Sequence, residues 1–194
     1  MRQVILDVET QKAFSDVGGF FPEQLGISYV GVCVRDGFDG EGQIMGFFEQ
    51  DLPKLFPILE EADVLVGFNI DNFDMPTFTN YYQGDVKKFP TLDLMVQIKK
   101  SSGHRISLDA CAKGTFNDHK TGDGLDAIKY YREKRFEELA SYCNQDVKLT
   151  RELYDYGRTH GQVKFYNKWN RLVTCDVDFS FKPKKSSGTQ VSLF

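Results

Sequence analysis

Apolar and polar residues alternate with a period of two at the start of the chain. In Gln3–Thr10 this places Val4, Leu6 and Val8 on one face of an extended segment, and Ile5, Asp7 and Glu9 on the other. A strand is predicted over 3–8, with further strands over 26–35, 43–49 and 63–68. A final apolar alternation at 171–179 is expected to add an edge strand. The stretch Asp36–Gly42 reads as a glycine-rich hairpin turn, because its acids lack the ligand spacing of a calcium loop. Helices are predicted over 52–62, 75–83, 107–114, 123–132 and 136–157, with a mixed segment over 91–100. Strands first and helices later, around a central mixed β-sheet flanked by α-helices, make an α/β fold.

Several acids fall where this pattern turns inward. The segment from Phe136 to about Tyr156 has few β-branched residues, no proline and no interior glycine before its end. Its Leu139, Cys143, Leu149 and Leu153 mark one helical face. Tyr142 and Asp146 share that face, one turn apart. Turning an ionised aspartate toward a core costs several kcal/mol unless it is paired or binds a metal. The nearby Lys148 and Arg151 are expected to point off the stripe, which leaves no local basic partner. Asp7 and Glu9 repeat the pattern on a strand, where their like charges repel unless a cation sits between them. Asp176-Val177-Asp178 has the same spacing and reads as a chance occurrence on a solvent-facing strand.

A third acidic segment follows the apolar run Asp63–Phe68. The chain turns through Asn69–Asp74 and enters a helix near Pro76, a residue suited to a first helical turn. Asn72 or Asp74 can cap that helix, and Asp71 is a second acid in the same turn.

Asp-x-Glu near the start, Asn-(x)n-Phe-Asp in the middle and Tyr-x-x-x-Asp late resemble the three exonuclease motifs of the DEDD superfamily of ribonuclease-H-like 3′–5′ exonucleases. The tyrosine marks the subgroup found in the proofreading domains of family-A and family-B DNA polymerases. The sister subgroup has histidine five residues before the last aspartate, and here that position is Ser141. The segment GFNIDNFDMPTF looks most like the family-B editing motif, in which the aspartate after phenylalanine is the ligand, so Asp74 is favoured over Asp71. The resemblance spans roughly residues 1–160 and implies a ribonuclease-H-like fold. It also implies a two-metal phosphodiester hydrolase that uses Mg²⁺ or Mn²⁺ and removes nucleoside 5′-monophosphates from 3′ ends. By the same resemblance Asp7 bridges the two ions and Glu9 and Asp146 complete the hydroxide-generating site. Asp74 supports the second ion and Tyr142 orients the attacking water. Thr10, Asn69 and Lys120 are the candidate nucleic-acid contacts. Lys120 lies in a glycine-containing loop, His119–Leu125, similar to that of stand-alone relatives.

Composition fits one enzyme domain: 194 residues, 41% hydrophobic and 14% aromatic, enough for a sizeable core and inconsistent with a disordered chain. The start of the chain runs straight into a strand, no apolar run reaches membrane-span length, and a cytoplasmic protein is expected. Cys33, Cys111, Cys143 and Cys175 lie far apart and read as buried, reduced thiols. A net charge of −4 is unusual for a nucleic-acid enzyme. Two divalent ions would add positive charge locally. Lysine and arginine also cluster at Lys87-Lys88, Lys99-Lys100, His104-Arg105 and Lys182, Lys184 and Lys185.

The last thirteen residues differ in kind. Residues 182–194 read as a flexible linker after a domain of residues 1–181, and they end in Leu193 and Phe194. Gln190, Val191, Ser192, Leu193 and Phe194 resemble the bacterial sliding-clamp-binding pentapeptide, with valine in place of the usual leucine. That resemblance implies a clamp partner and tips the substrate toward DNA. The alternatives are an exoribonuclease on the same scaffold, since the motifs specify metal chemistry and not the sugar, and a binding module without activity. The intact acid set argues against the binding module.

Overall fold

The computed structural model describes residues 1–38, 40–117 and 124–181. Its centre is a five-stranded mixed sheet of order β3-β2-β1-β4-β5. The strands are β1 (Arg2–Thr10), β2 (Ile27–Asp36), β3 (Gln43–Phe48), β4 (Val64–Gly67) and β5 (Thr91–Asp93). β1, β2 and β3 pair antiparallel in sequence, whereas β4 runs parallel to both β1 and β5. This is the α/β arrangement expected from the alternation of the strands.

The period of two in β1 sorts its side chains into two layers. Val4, Leu6 and Val8 pack with Leu52, Leu55 and Leu59 of a helix over Leu52–Glu60. Ile5 packs on the opposite face with Leu149, Leu153 and Tyr154. Those three belong to a long helix over Phe136–His160, designated α7. The other helices are α1 (Phe14–Val17), α2 (the Leu52–Glu60 helix), α3 (Asp74–Thr77), α4 (Leu94–Ser102), α5 (Leu108–Phe116) and α6 (Gly124–Arg132). Among the described residues, no helix is long and apolar enough to cross a membrane.

Three expectations are corrected. The helix predicted over 75–83 is only the single turn α3, followed by a 3₁₀ turn over Phe78–Asn80. The alternation at 171–179 does form a strand, β7 (Leu172–Asp176), but not at an edge of the central sheet. It pairs antiparallel with β6 (Gln162–Tyr166), an unanticipated strand, in a separate two-stranded sheet. Val163, Phe165 and Cys175 of that hairpin are buried against the α4 and α5 side of the core, so the hairpin's apolar face is satisfied away from the main sheet. Arg151, expected to point off the α7 stripe, is buried, and its guanidinium donates to the Glu41 carbonyl at 2.5 Å. All four cysteines are buried.

Candidate active site

One glycine sets the distance between the sheet and α7. Gly31 on β2 lies directly opposite Asp7 on β1. A Cβ at Gly31 would lie 2.9 Å from the Val147 side chain, 3.0 Å from Asn144 Oδ1 and 3.1 Å from Cys143 Sγ. The missing side chain lets α7 lie close on the sheet above Asp7. Tyr142 and Asp146, both on the buried face of α7, are thereby brought over the C-terminal end of β1. The Cys143 thiol lies 3.5 Å from Asp7 Oδ2.

Asp7, Glu9, Tyr142 and Asp146 together line a cavity of about 590 Å³, which also includes Lys12, Phe14 and Phe73. Asp7 and Asp146 also line a second cavity of about 460 Å³, whose far side carries Asn69 and Arg105. The two carboxylates thus stand where two clefts meet. Glu9 and Asp146 are buried. Thr10 lines the first cleft, and its hydroxyl donates to the Lys12 carbonyl at 3.0 Å.

Asp74 reaches the same place from a different element. It is the first residue of α3, and its carboxylate is not confined to that helix. It crosses to β1 and accepts the Val8 N–H at 3.0 Å. Burial, then the neighbouring Asp7 carboxylate, push its carboxyl well above the ordinary value. Asp71, the other acid of the turn, is exposed. The geometry therefore separates two acids that the sequence left adjacent, and Asp74 is the one facing Asp7.

A residue absent from the sequence reading holds this turn in place. Asp93, at the end of β5, caps α4 by accepting the Val96 N–H at 3.2 Å. It also accepts the N–H of Asn69 at 3.0 Å and of Asp71 at 3.2 Å. Asn69 has φ of 70°, a left-handed conformation that asparagine tolerates better than most residues. Its side-chain oxygen accepts from Arg105 at 3.3 Å. Only the Asp-Leu step before an apolar helical run hinted at the cap; the two loop contacts are set by tertiary structure. Asp93→Ala leaves three N–H groups without their acceptor, the helix cap among them, and at about 1 kcal/mol each the expected destabilisation is about 2–4 kcal/mol in urea unfolding. Asp93→Asn, which keeps an acceptor oxygen, should lose markedly less.

The donor chemistry suits a hard divalent cation. Ligand atoms of Asp7, Glu9 and Cys143 lie within 4.8 Å of one another. Burial, then the Asp7 and Glu9 carboxylates, push the Cys143 thiol well above its ordinary value in the metal-free fold. The carboxylate oxygens of Asp7 and Glu9 favour Mg²⁺ or Mn²⁺ over softer ions.

The sequence profile of the RNase_H superfamily matches residues 4–157, from β1 through most of α7. The chain belongs to the RNase H superfamily. All four acids and Tyr142 fall inside the matched span. No curated protein sequence matches the chain. This RNase H domain is similar in fold to the family B DNA polymerase from the hyperthermophilic archaeon Pyrobaculum calidifontis, with a TM-score of 0.59 and 17% identity. That match covers 81% of this chain and 24% of the polymerase. E. coli exonuclease I in complex with a 5cy-dT13 oligonucleotide gives a weaker likeness, with a TM-score of 0.47 and 10% identity over 82% of this chain and 41% of that one. The RNase H domain thus spans less than half the length of either protein. Lys120 and Gln190–Phe194, the remaining candidate contacts, lie outside the described residues.

Proposed function

We propose that this RNase H domain is a DEDD-type 3′–5′ exonuclease of the tyrosine subgroup, acting on DNA. The observation that carries the reading is that Asp7, Glu9 and Asp146 line one cleft with Tyr142, while Asp74, from a third segment, faces Asp7 through the Val8 N–H. Carboxylates gathered in this way repel one another unless a cation lies between them. Asp7, Glu9, Asp74 and Asp146 would hold two divalent ions, Mg²⁺ or Mn²⁺. When bound, such ions supply a nucleophilic hydroxide and neutralise charge on the scissile phosphate.

The remaining work falls to the chain's own groups. The Tyr142 hydroxyl orients the attacking water by a hydrogen bond. Phe14 and Phe73, whose rings meet edge to face at 6.0 Å, offer an apolar wall for the terminal base in the first cleft. Lys12 on that wall, with Thr10 and Asn69, supplies polar contacts to the strand, and Lys120 is assigned the same role. The product is a nucleoside 5′-monophosphate released from the 3′ end.

Digestion of matched 5′-labelled single-stranded DNA and RNA, with Mg²⁺, with Mn²⁺ and with a chelator, tests this reading. A metal-dependent ladder shortening from the 3′ end, faster on DNA, is expected. Digestion from the 5′ end, or none with either metal, sinks it, and faster digestion of RNA overturns the choice of sugar.

We also propose that residues 182–194 tether domain 1–181 to a bacterial sliding clamp through Gln190–Phe194. Leu193 and Phe194 would then carry most of the binding energy as buried apolar anchors. Deleting Gln190–Phe194 is expected to leave digestion of free oligonucleotides intact and to abolish only clamp-dependent stimulation. Calorimetry of the full chain against a bacterial sliding clamp checks this; no heat at high micromolar concentration would count against it.

A further inference from the structure

The β6–β7 hairpin presents an exposed tryptophan that the proposed chemistry does not use. Trp169 is the chain's single tryptophan, and it is 69% exposed. Its turn is nonetheless ordered: Asn167 Oδ1 accepts the N–H groups of Trp169 and Arg171, each at 3.0 Å, and the Asn167 N–H donates to the Arg171 carbonyl. The Lys168 ammonium sits 4.5 Å from the indole ring centre. An exposed indole on a hydrogen-bonded turn, with a cation over its ring, brings a π-surface and a phosphate-binding charge together. That is the pairing single-stranded nucleic acid requires.

The hairpin's cavity lies next in the chain to the acidic cleft. Trp169, Lys168 and Phe165 line a cavity of about 700 Å³ that also includes His104 and Ser102, with Asp176 as the acid among its lining residues. Arg105, the residue after His104, lines the cleft shared by Asp7 and Asp146. The two cavities are thus lined by consecutive residues of one segment, His104 and Arg105. Arg105 in one cavity and Lys168 in the other place positive charge here in an otherwise acidic chain, a charge complement to a phosphodiester backbone.

We propose that the β6–β7 hairpin is a second contact for single-stranded nucleic acid, in which Trp169 stacks on a base upstream of the 3′ end and Lys168 meets a flanking phosphate. The inference rests on the acidic cleft being where that 3′ end is held.

The full chain in a chelator, where no hydrolysis occurs, is titrated with (dT)3 and (dT)12 while tryptophan emission is followed; all of the signal comes from Trp169. Quenching by (dT)12 and not by (dT)3 is expected. With metal present, Trp169→Ala should raise the KM for (dT)12 by about 5- to 100-fold, the usual range for one lost stacking contact, and leave kcat unchanged. Trp169→Phe should restore most of the affinity. Hydrolysis of thymidine 5′-(p-nitrophenyl phosphate), which is too small to reach the hairpin, should not change in either variant. An emission spectrum indifferent to (dT)12, together with a wild-type KM for Trp169→Ala, would overturn the inference. An emission shift produced by protein concentration alone would assign the surface to self-association and overturn it equally. Quenching by (dT)12 in a protein that hydrolyses neither substrate would remove the nuclease reading and leave the strand contact standing.

Discussion

Asp146→Asn is expected to abolish nuclease turnover while leaving the fold intact. The substitution keeps the shape of a buried side chain and removes its charge, so the loss would lie in cation binding and not in packing. The same change at Asp74 should act similarly on turnover, whereas Asp71→Asn, at an exposed position, should be mild. Asp74 adds a stability signature that a structural acid would not give. Its carboxyl is raised by burial and by Asp7, so in the metal-free fold it binds its proton more tightly than in the unfolded chain. A group of that kind contributes stability at low pH that is lost as the pH rises from the unfolded value near 4 through the raised folded value. Metal-free Asp74→Asn should therefore melt above wild type at pH 7, with the difference vanishing near pH 4. A divalent ion should reverse the order, because it stabilises the ionised wild-type site alone. Thermal melts of both proteins across pH, with and without Mn²⁺, check all three parts. An Asp74→Asn variant that turns over as fast as Asp71→Asn would show the assignment within that loop to be wrong.

Tyr142→Phe is the second large effect. The ring packs with Tyr29, Ala127, Leu139 and Cys143, and phenylalanine keeps every one of those apolar contacts. What it removes is the hydroxyl in the cleft. Turnover should fall by about 10- to 1,000-fold, in or below the range of a positioned proton-handling group, with metal affinity nearly unchanged. Single-turnover rates and metal titrations of the two proteins separate these quantities. A wild-type rate would reduce the tyrosine to a core residue on the α7 stripe.

The contrast between Asp93 and Asp74 shows how far the chain could be read before its tertiary structure. Both are buried aspartates at the start of a helix. One caps its helix and ties down a neighbouring loop; the other reaches across to the β1 backbone and faces another carboxylate. Capping statistics alone could not separate them, because the difference lies in what stands 66 residues upstream in the chain, at Val8. Resemblance to a motif favoured Asp74 for a reason that the local pattern did not contain.

The sequence by itself determined which side of each element faces inward. A period of two in β1 and of 3.6 in α7 is a local property of a strand and of a helix, and it sufficed to mark Asp7, Glu9, Tyr142 and Asp146 as acids and a phenol on buried faces. It also marked β1 to β4 and β7 in chain order, but neither β6 nor the order of the strands in space. Tertiary structure alone decided which faces meet. The absence of a side chain at Gly31 sets how near α7 approaches Asp7, and the apolar demand of α4 and α5 draws β6 and β7 into a hairpin of their own. Cys143 comes to lie against Asp7, and His104 beside Trp169, only through that packing. Periodicity is written residue by residue, whereas the pairing of distant surfaces depends on the shape and volume of the whole core.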